Sequence, residues 1–110
     1  MSTTETLRIN AETYHDQFPS QGYGVSAWSY PEADEDEAAR MMPTNHRHYR
    51  RTTAGSLRAA GFSLARGGRY GHVTIKLPGE LTDTTLESLR DCLSEPRIRP
   101  QYREDSDDGV

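Results

Sequence analysis

Residues 52–78, T-T-A-G-S-L-R-A-A-G-F-S-L-A-R-G-G-R-Y-G-H-V-T-I-K-L-P, decide the fold. The stretch around Leu57 suits a short helix, with Thr52 or Thr53 as N-cap and Gly61 as the left-handed C′ residue. Phe62 to Arg66 and Tyr70 to Leu77 then read as two strands, and Gly67-Gly68 between them fits a tight hairpin loop. In the second strand Val73, Ile75 and Leu77 share one face, while His72, Thr74 and Lys76 share the other.

Working outward, Gln21 to Tyr30 (Q-G-Y-G-V-S-A-W-S-Y) alternates with aromatic residues, the pattern of a strand. Pro31 stops it and opens an acidic segment, through Met42, whose early acids and late Arg40 suit a short helix and its dipole. Pro43 ends that helix. Asn45 to Thr52 is polar and reads as either a strand or an exposed arm. After Pro78-Gly79 a last helix is expected from about Thr82 to Ser94, with Leu86, Leu89, Cys92 and Leu93 as its apolar stripe. Cys92 on that stripe is expected to be a buried small residue. The order predicts an α+β domain over 21–94, with a small, mainly antiparallel sheet packed against two or three short helices. Residues 1–20 show only a weak pattern and are expected to form a loosely ordered segment. Residues 95–110 form a Pro-, Arg- and acid-rich tail whose end is expected to be disordered.

Composition narrows the class. At 110 residues there is room for one domain. Leu, Ile, Val and Phe total 16, about 15% of the chain, so a small folded core between loose ends is expected. No apolar run approaches membrane-spanning length, and the N-terminal stretch lacks the basic and apolar regions of a secretory signal. A single cysteine excludes an internal disulfide framework, and the expected setting is the reduced cytosol. Gly67-Gly68 is no phosphate loop, because no Lys-Ser/Thr follows and no helix begins there.

Charge is unevenly spread. Residues 1–37 carry eight acids and one base, and residues 80–110 carry nine acids and four bases. Between them, residues 38–79 contain no acid and eight cations, seven of them arginine. Arginine suits bidentate phosphate contact, and phosphate contacts dominate nucleic-acid affinity. RNA or another polyanion is therefore an expected partner, through Arg47, Arg50, Arg51, Arg66, Arg69 and Lys76, with Tyr49 and Tyr70 available to stack on bases. A second reading is internal: the acidic flanks fold back and neutralise the middle. In a third, the flanks, including the acidic run Asp34 to Glu37, dock a basic protein.

The segment Leu57 to Pro78, with Gly61-Phe62 at a helix end and Gly71-His72 on a turn leading into a strand, resembles the core of HicA-type mRNA interferase toxins. That family has a fold like the double-stranded-RNA-binding domain. The resemblance implies that His72 is a general acid/base for metal-independent RNA cleavage, with Arg66, Arg69 and Lys76 holding phosphates. The wider pattern also resembles small actinobacterial proteins with no assigned activity. Cleavage of this kind needs both an acid and a base at the phosphate, and His46 or His48 would complete the pair if the fold brought either to His72. His46 and His48 also project to one face of a strand, as metal ligands can, but no third ligand is evident and no cofactor is expected. Under either a binding or a cleaving reading, a neighbouring reading frame of similar size would indicate a two-gene toxin–antitoxin arrangement.

Overall fold

The computed structural model describes residues 3–102. The protein is α+β, as its patterning predicts. Helix α1 spans Thr3–Gln17 and is followed by a 3-10 turn at Pro19–Gln21. Next come β1 (Gly24–Trp28), α2 (Glu35–Met41), β2 (His48–Tyr49), α3 (Ala54–Ala59), β3 (Ser63–Arg66), β4 (His72–Lys76), α4 (Asp83–Cys92) and β5 (Arg97–Ile98).

Strand β4 lies at the centre of a three-stranded antiparallel sheet ordered β1-β4-β3. The register sets Val25 and Leu64 opposite Ile75, and Ala27 and Arg66 opposite Val73. The period-two rule then places Val25, Ala27, Leu64, Val73 and Ile75 on one face. The helices cover that face with Leu7 and Ala11 of α1, Leu57 of α3, and Leu86 and Leu89 of α4, while Phe62 and Leu77 close the core. Leu86 and Leu89 are fully enclosed, and burial of a leucine side chain is worth about 1.5–3 kcal/mol.

Local chemistry explains the boundaries. The Thr53 hydroxyl accepts from Ser56 N–H at 3.1 Å, and Thr82 does the same for Thr85 at 3.1 Å, so both helices begin where a capping oxygen is available. Gly61 follows α3 at φ +96°, the left-handed geometry expected of it. In the acidic segment the helix begins at Glu35 rather than near Pro31, because the Asp34 carboxylate accepts from Glu37 N–H at 2.9 Å and caps it there. The hairpin loop is longer than a tight Gly67-Gly68 turn and occupies residues 67–71. Its last residue, Gly71, adopts φ +84° beneath the Tyr30 ring; a Cβ there would sit 2.3 Å from Tyr30 Cε1.

Two expectations need correction. Of the segment 1–20, expected to be loosely ordered, residues 3–20 are ordered: α1 lays Leu7 and Ala11 into the core, and its Arg8 pairs with Asp83 at the start of α4. The segment after Ser94 is likewise not all tail. Strand β5 pairs antiparallel with β2, which makes the 45–52 stretch a strand at His48–Tyr49. Arg99 beyond it is 2% exposed. Its guanidinium donates to the carbonyls of Ala39, Met42, Thr44 and His46 and to the Thr44 hydroxyl, at 2.7–3.3 Å. The acidic end expected to be disordered, 103–110, lies outside the described residues. Among the described residues, no helix is long and apolar enough to cross a membrane.

Candidate anion-binding site

The structure divides the basic segment in two. The first half, residues 46–51, runs through β2 and is engaged by the protein itself. Tyr49 is buried, and its hydroxyl donates to Glu35 Oε2 at 2.6 Å, so its ring is not presented for stacking. Glu35 also accepts from Arg97 Nη1 at 2.7 Å and lies 3.6 Å from Arg51 Nε. The Tyr49 hydrogen bond, reinforced by the two arginines and opposed by partial burial, lowers the Glu35 pKa. Arg50 donates to the Ser94 carbonyl at 3.0 Å and the Thr3 hydroxyl at 2.8 Å. The Arg47 guanidinium carbon lies 6.0 Å from the Tyr102 ring centroid. His46 and His48 are exposed, and their imidazoles make no hydrogen bond among the described residues.

The second half forms the hairpin end. Arg58 on α3, Arg66 at the end of β3 and Arg69 in the loop are exposed, and no carboxylate pairs with any of them among the described residues. Tyr70 is 80% exposed, its ring 5.7 Å from that of Tyr30. Nothing in the sequence sets Arg58 apart from the other cations of the segment. It is a strong helix former in a helix, and only the fold places it near Arg66. Lys76 lies elsewhere: its ammonium donates to the Tyr14 hydroxyl at 3.1 Å and the Gln21 carbonyl at 2.5 Å and sits 4.9 Å from the Tyr14 ring centroid. It holds the turn after α1 against the sheet.

His72 occupies the first position of β4, opposite Trp28, and meets that indole edge-on at 5.1 Å. Its Nδ1 lies 2.9 Å from the Gly67 carbonyl and its Nε2 3.2 Å from Ser26 Oγ. A carbonyl can only accept, so Nδ1 carries the proton and, in the neutral ring, Nε2 accepts from the serine hydroxyl. Both nitrogens are thereby used to tie the hairpin loop to β1. His46 and His48 belong to the separate β2–β5 ribbon, and neither ring contacts His72. Among the described residues, no three His, Cys, Asp or Glu side chains converge as a metal site requires.

Between α3 and the ends of the three sheet strands runs a groove of about 380 Å³, with Ala27, Leu57, Leu64, Val73 and Ile75 lining it and Arg58 and Arg66 beside them. A second, more open hollow lies against Glu35, Tyr49 and Arg97. Comparison of the chain with protein-family models, curated proteins and solved structures returned no match.

Proposed function

We propose that the protein is a cytosolic binding module for single-stranded RNA, gripped at the hairpin end by Arg58, Arg66 and Arg69 with Tyr70 stacking on a base. The observation that carries this reading is that Arg66, Arg69 and Tyr70 are exposed together at the hairpin end, Tyr70 to 80%, with Arg58 beside Arg66 at the neighbouring groove. Guanidinium groups supply bidentate phosphate contacts, and an exposed aromatic ring offers a sequence-tolerant platform for an unpaired base. The reading is of binding without cleavage: the imidazole a HicA-like mechanism would use has both nitrogens in hydrogen bonds that shape the loop. Among the described residues, no second histidine contacts it to complete an acid–base pair.

The test is a titration into labelled single-stranded RNA, run beside a gel for cleavage. The double variant Arg66→Glu/Arg69→Glu is expected to lose at least about tenfold in affinity, since each phosphate contact is electrostatic. Arg50→Gln/Arg51→Gln, which alters only the internally engaged half, is expected to bind like the parent. No RNA binding, or binding indifferent to the hairpin arginines, would overturn the reading and favour a protein partner for this surface. Cleavage by the parent that His72→Ala abolishes would restore the ribonuclease reading.

A further inference from the structure

The groove beside α3 has an aliphatic lining that RNA binding does not use. Six aliphatic residues line it, contributed by β1, β3, β4 and α3, and among the described residues no acidic side chain does. Arg58 and Arg66 enter it from two different elements, and both are exposed. The polar side chains along it are hydroxyls. That of Thr53 is committed to capping α3. That of Thr52 is sealed from solvent and has no hydrogen-bond partner among the described residues.

Such a site discriminates by chemistry. A nucleobase seeks an aromatic face to stack on, and the groove's one aromatic lining residue, Trp28, turns its ring to His72 on the opposite face of the sheet. A bare phosphate would leave uncovered the apolar surface that the half-buried Ala27 and Leu64 present there. A molecule with a hydrocarbon body and one anionic head satisfies both parts, because apolar burial and a bidentate arginine–carboxylate contact act together. The volume of about 380 Å³ lies at the lower end of the range of roughly 300–1,000 Å³ common to small-ligand sites.

We infer that this groove binds a small aliphatic carboxylate, its head held by Arg58 and Arg66 and its chain laid over Leu64, Val73 and Ile75. This goes beyond the RNA reading, shares two of its arginines, and does not depend on it.

The full chain, labelled with nitrogen-15, is titrated with octanoate below its micelle-forming concentration and followed by amide chemical shifts. Saturable shifts confined to residues 27–29, 52–58, 64–66 and 73–75 are expected. Octanol, which lacks the charge, and acetate, which lacks the chain, are each expected to bind at least tenfold more weakly. Arg58→Gln/Arg66→Gln is expected to lose tenfold or more for octanoate while leaving octanol unchanged. Ala27→Leu, which fills the groove, should abolish binding of octanoate. Absence of saturable shifts with the parent would overturn the inference, as would equal binding of octanol or acetate, or an arginine variant that binds octanoate as the parent does. RNA is absent from every arm, so these outcomes stand whether or not the RNA reading survives.

Discussion

Arg99 shows how one side chain can hold together a region with little regular structure. Four of its five hydrogen bonds go to carbonyls between Ala39 and His46, two of them at the C-terminal end of α2, where a cation is favoured by the helix dipole. Hydrogen bonds to a charged donor are worth about 1.5–3 kcal/mol each, but they share one guanidinium and do not add. Arg99→Ala is therefore expected to cost about 3 kcal/mol in urea unfolding. Arg99→Lys should recover only part of this, because an ammonium cannot reproduce the planar fork. Glu35 is the second such residue, and its contribution depends on pH. Its folded pKa lies below the ordinary value of 4.5, first through the Tyr49 hydroxyl and then through Arg97 and Arg51. The stability it supplies is fully present above the unfolded-state pKa and is lost as pH falls through the lower, folded value. Between about pH 5 and pH 3, melting temperature should fall more steeply for the parent than for Glu35→Gln, with Tyr49→Phe in between. Parallel curves for all three proteins would remove the carboxylate from the account.

Among the elements, the hairpin and α1 make opposite demands. Gly71 ends the hairpin loop at φ +84° with the Tyr30 ring packed where a Cβ would go, whereas a Cβ on Gly67 meets nothing within 4 Å. Gly71→Ala incurs the left-handed penalty of roughly 1–2 kcal/mol together with displacement of a buried ring. Gly67→Ala, at the other end of the loop, should be close to neutral. Thermal unfolding of the two variants separates these outcomes, and equal melting temperatures would mean that Tyr30 yields freely. For α1 the prediction concerns the whole helix. Removing residues 3–17 strips Leu7 and Ala11 from the core, so the truncated chain should lose its cooperative melt. The same contrast explains what could be read in the sequence. Strands β1, β3 and β4 announce themselves by alternation, and α3 and α4 by their capping threonines, all local signals. Helix α1 buries only Leu7 and Ala11 and leaves Ile9 49% exposed, so its amphipathic signal is faint. Strands β2 and β5 are two residues each, too short to show any period, and what orders them is a buried arginine whose partners lie 53–60 positions away. For the candidate site, composition marked Arg66, Arg69 and Tyr70 but could not separate them from Arg50 and Arg51, because pairing with Glu35 and Ser94 is non-local.

At the scale of the whole molecule, that separation has a measurable consequence. A net charge of −4 conceals a segment of +8, and an unfolded or extended chain would offer all eight cations to a polyanion. The fold withdraws Arg51 to Glu35, Arg50 to Ser94 and Thr3, Arg47 to the Tyr102 ring, and Lys76 to Tyr14 and Gln21, and Arg40 too is engaged within the protein. Arg58, Arg66 and Arg69 are left facing solvent with no carboxylate partner among the described residues. Counterion release ties affinity to salt through the number of phosphates neutralised, with a slope of about −0.7 per contact for a single strand. Three contacts give a slope of log affinity against log salt of about −2, whereas eight would give about −6. The folded protein should therefore bind single-stranded RNA weakly and with the shallower dependence, and Arg66→Glu/Arg69→Glu should flatten it further. Measured by fluorescence anisotropy over a range of sodium chloride, a slope near −6 would mean that the internal pairs open on contact with RNA and that the acidic flanks are displaced by the ligand. A slope near −2 that is unchanged in Arg50→Gln/Arg51→Gln would localise the electrostatic contact to the hairpin end, where Arg66 and Arg69 have no carboxylate partner among the described residues.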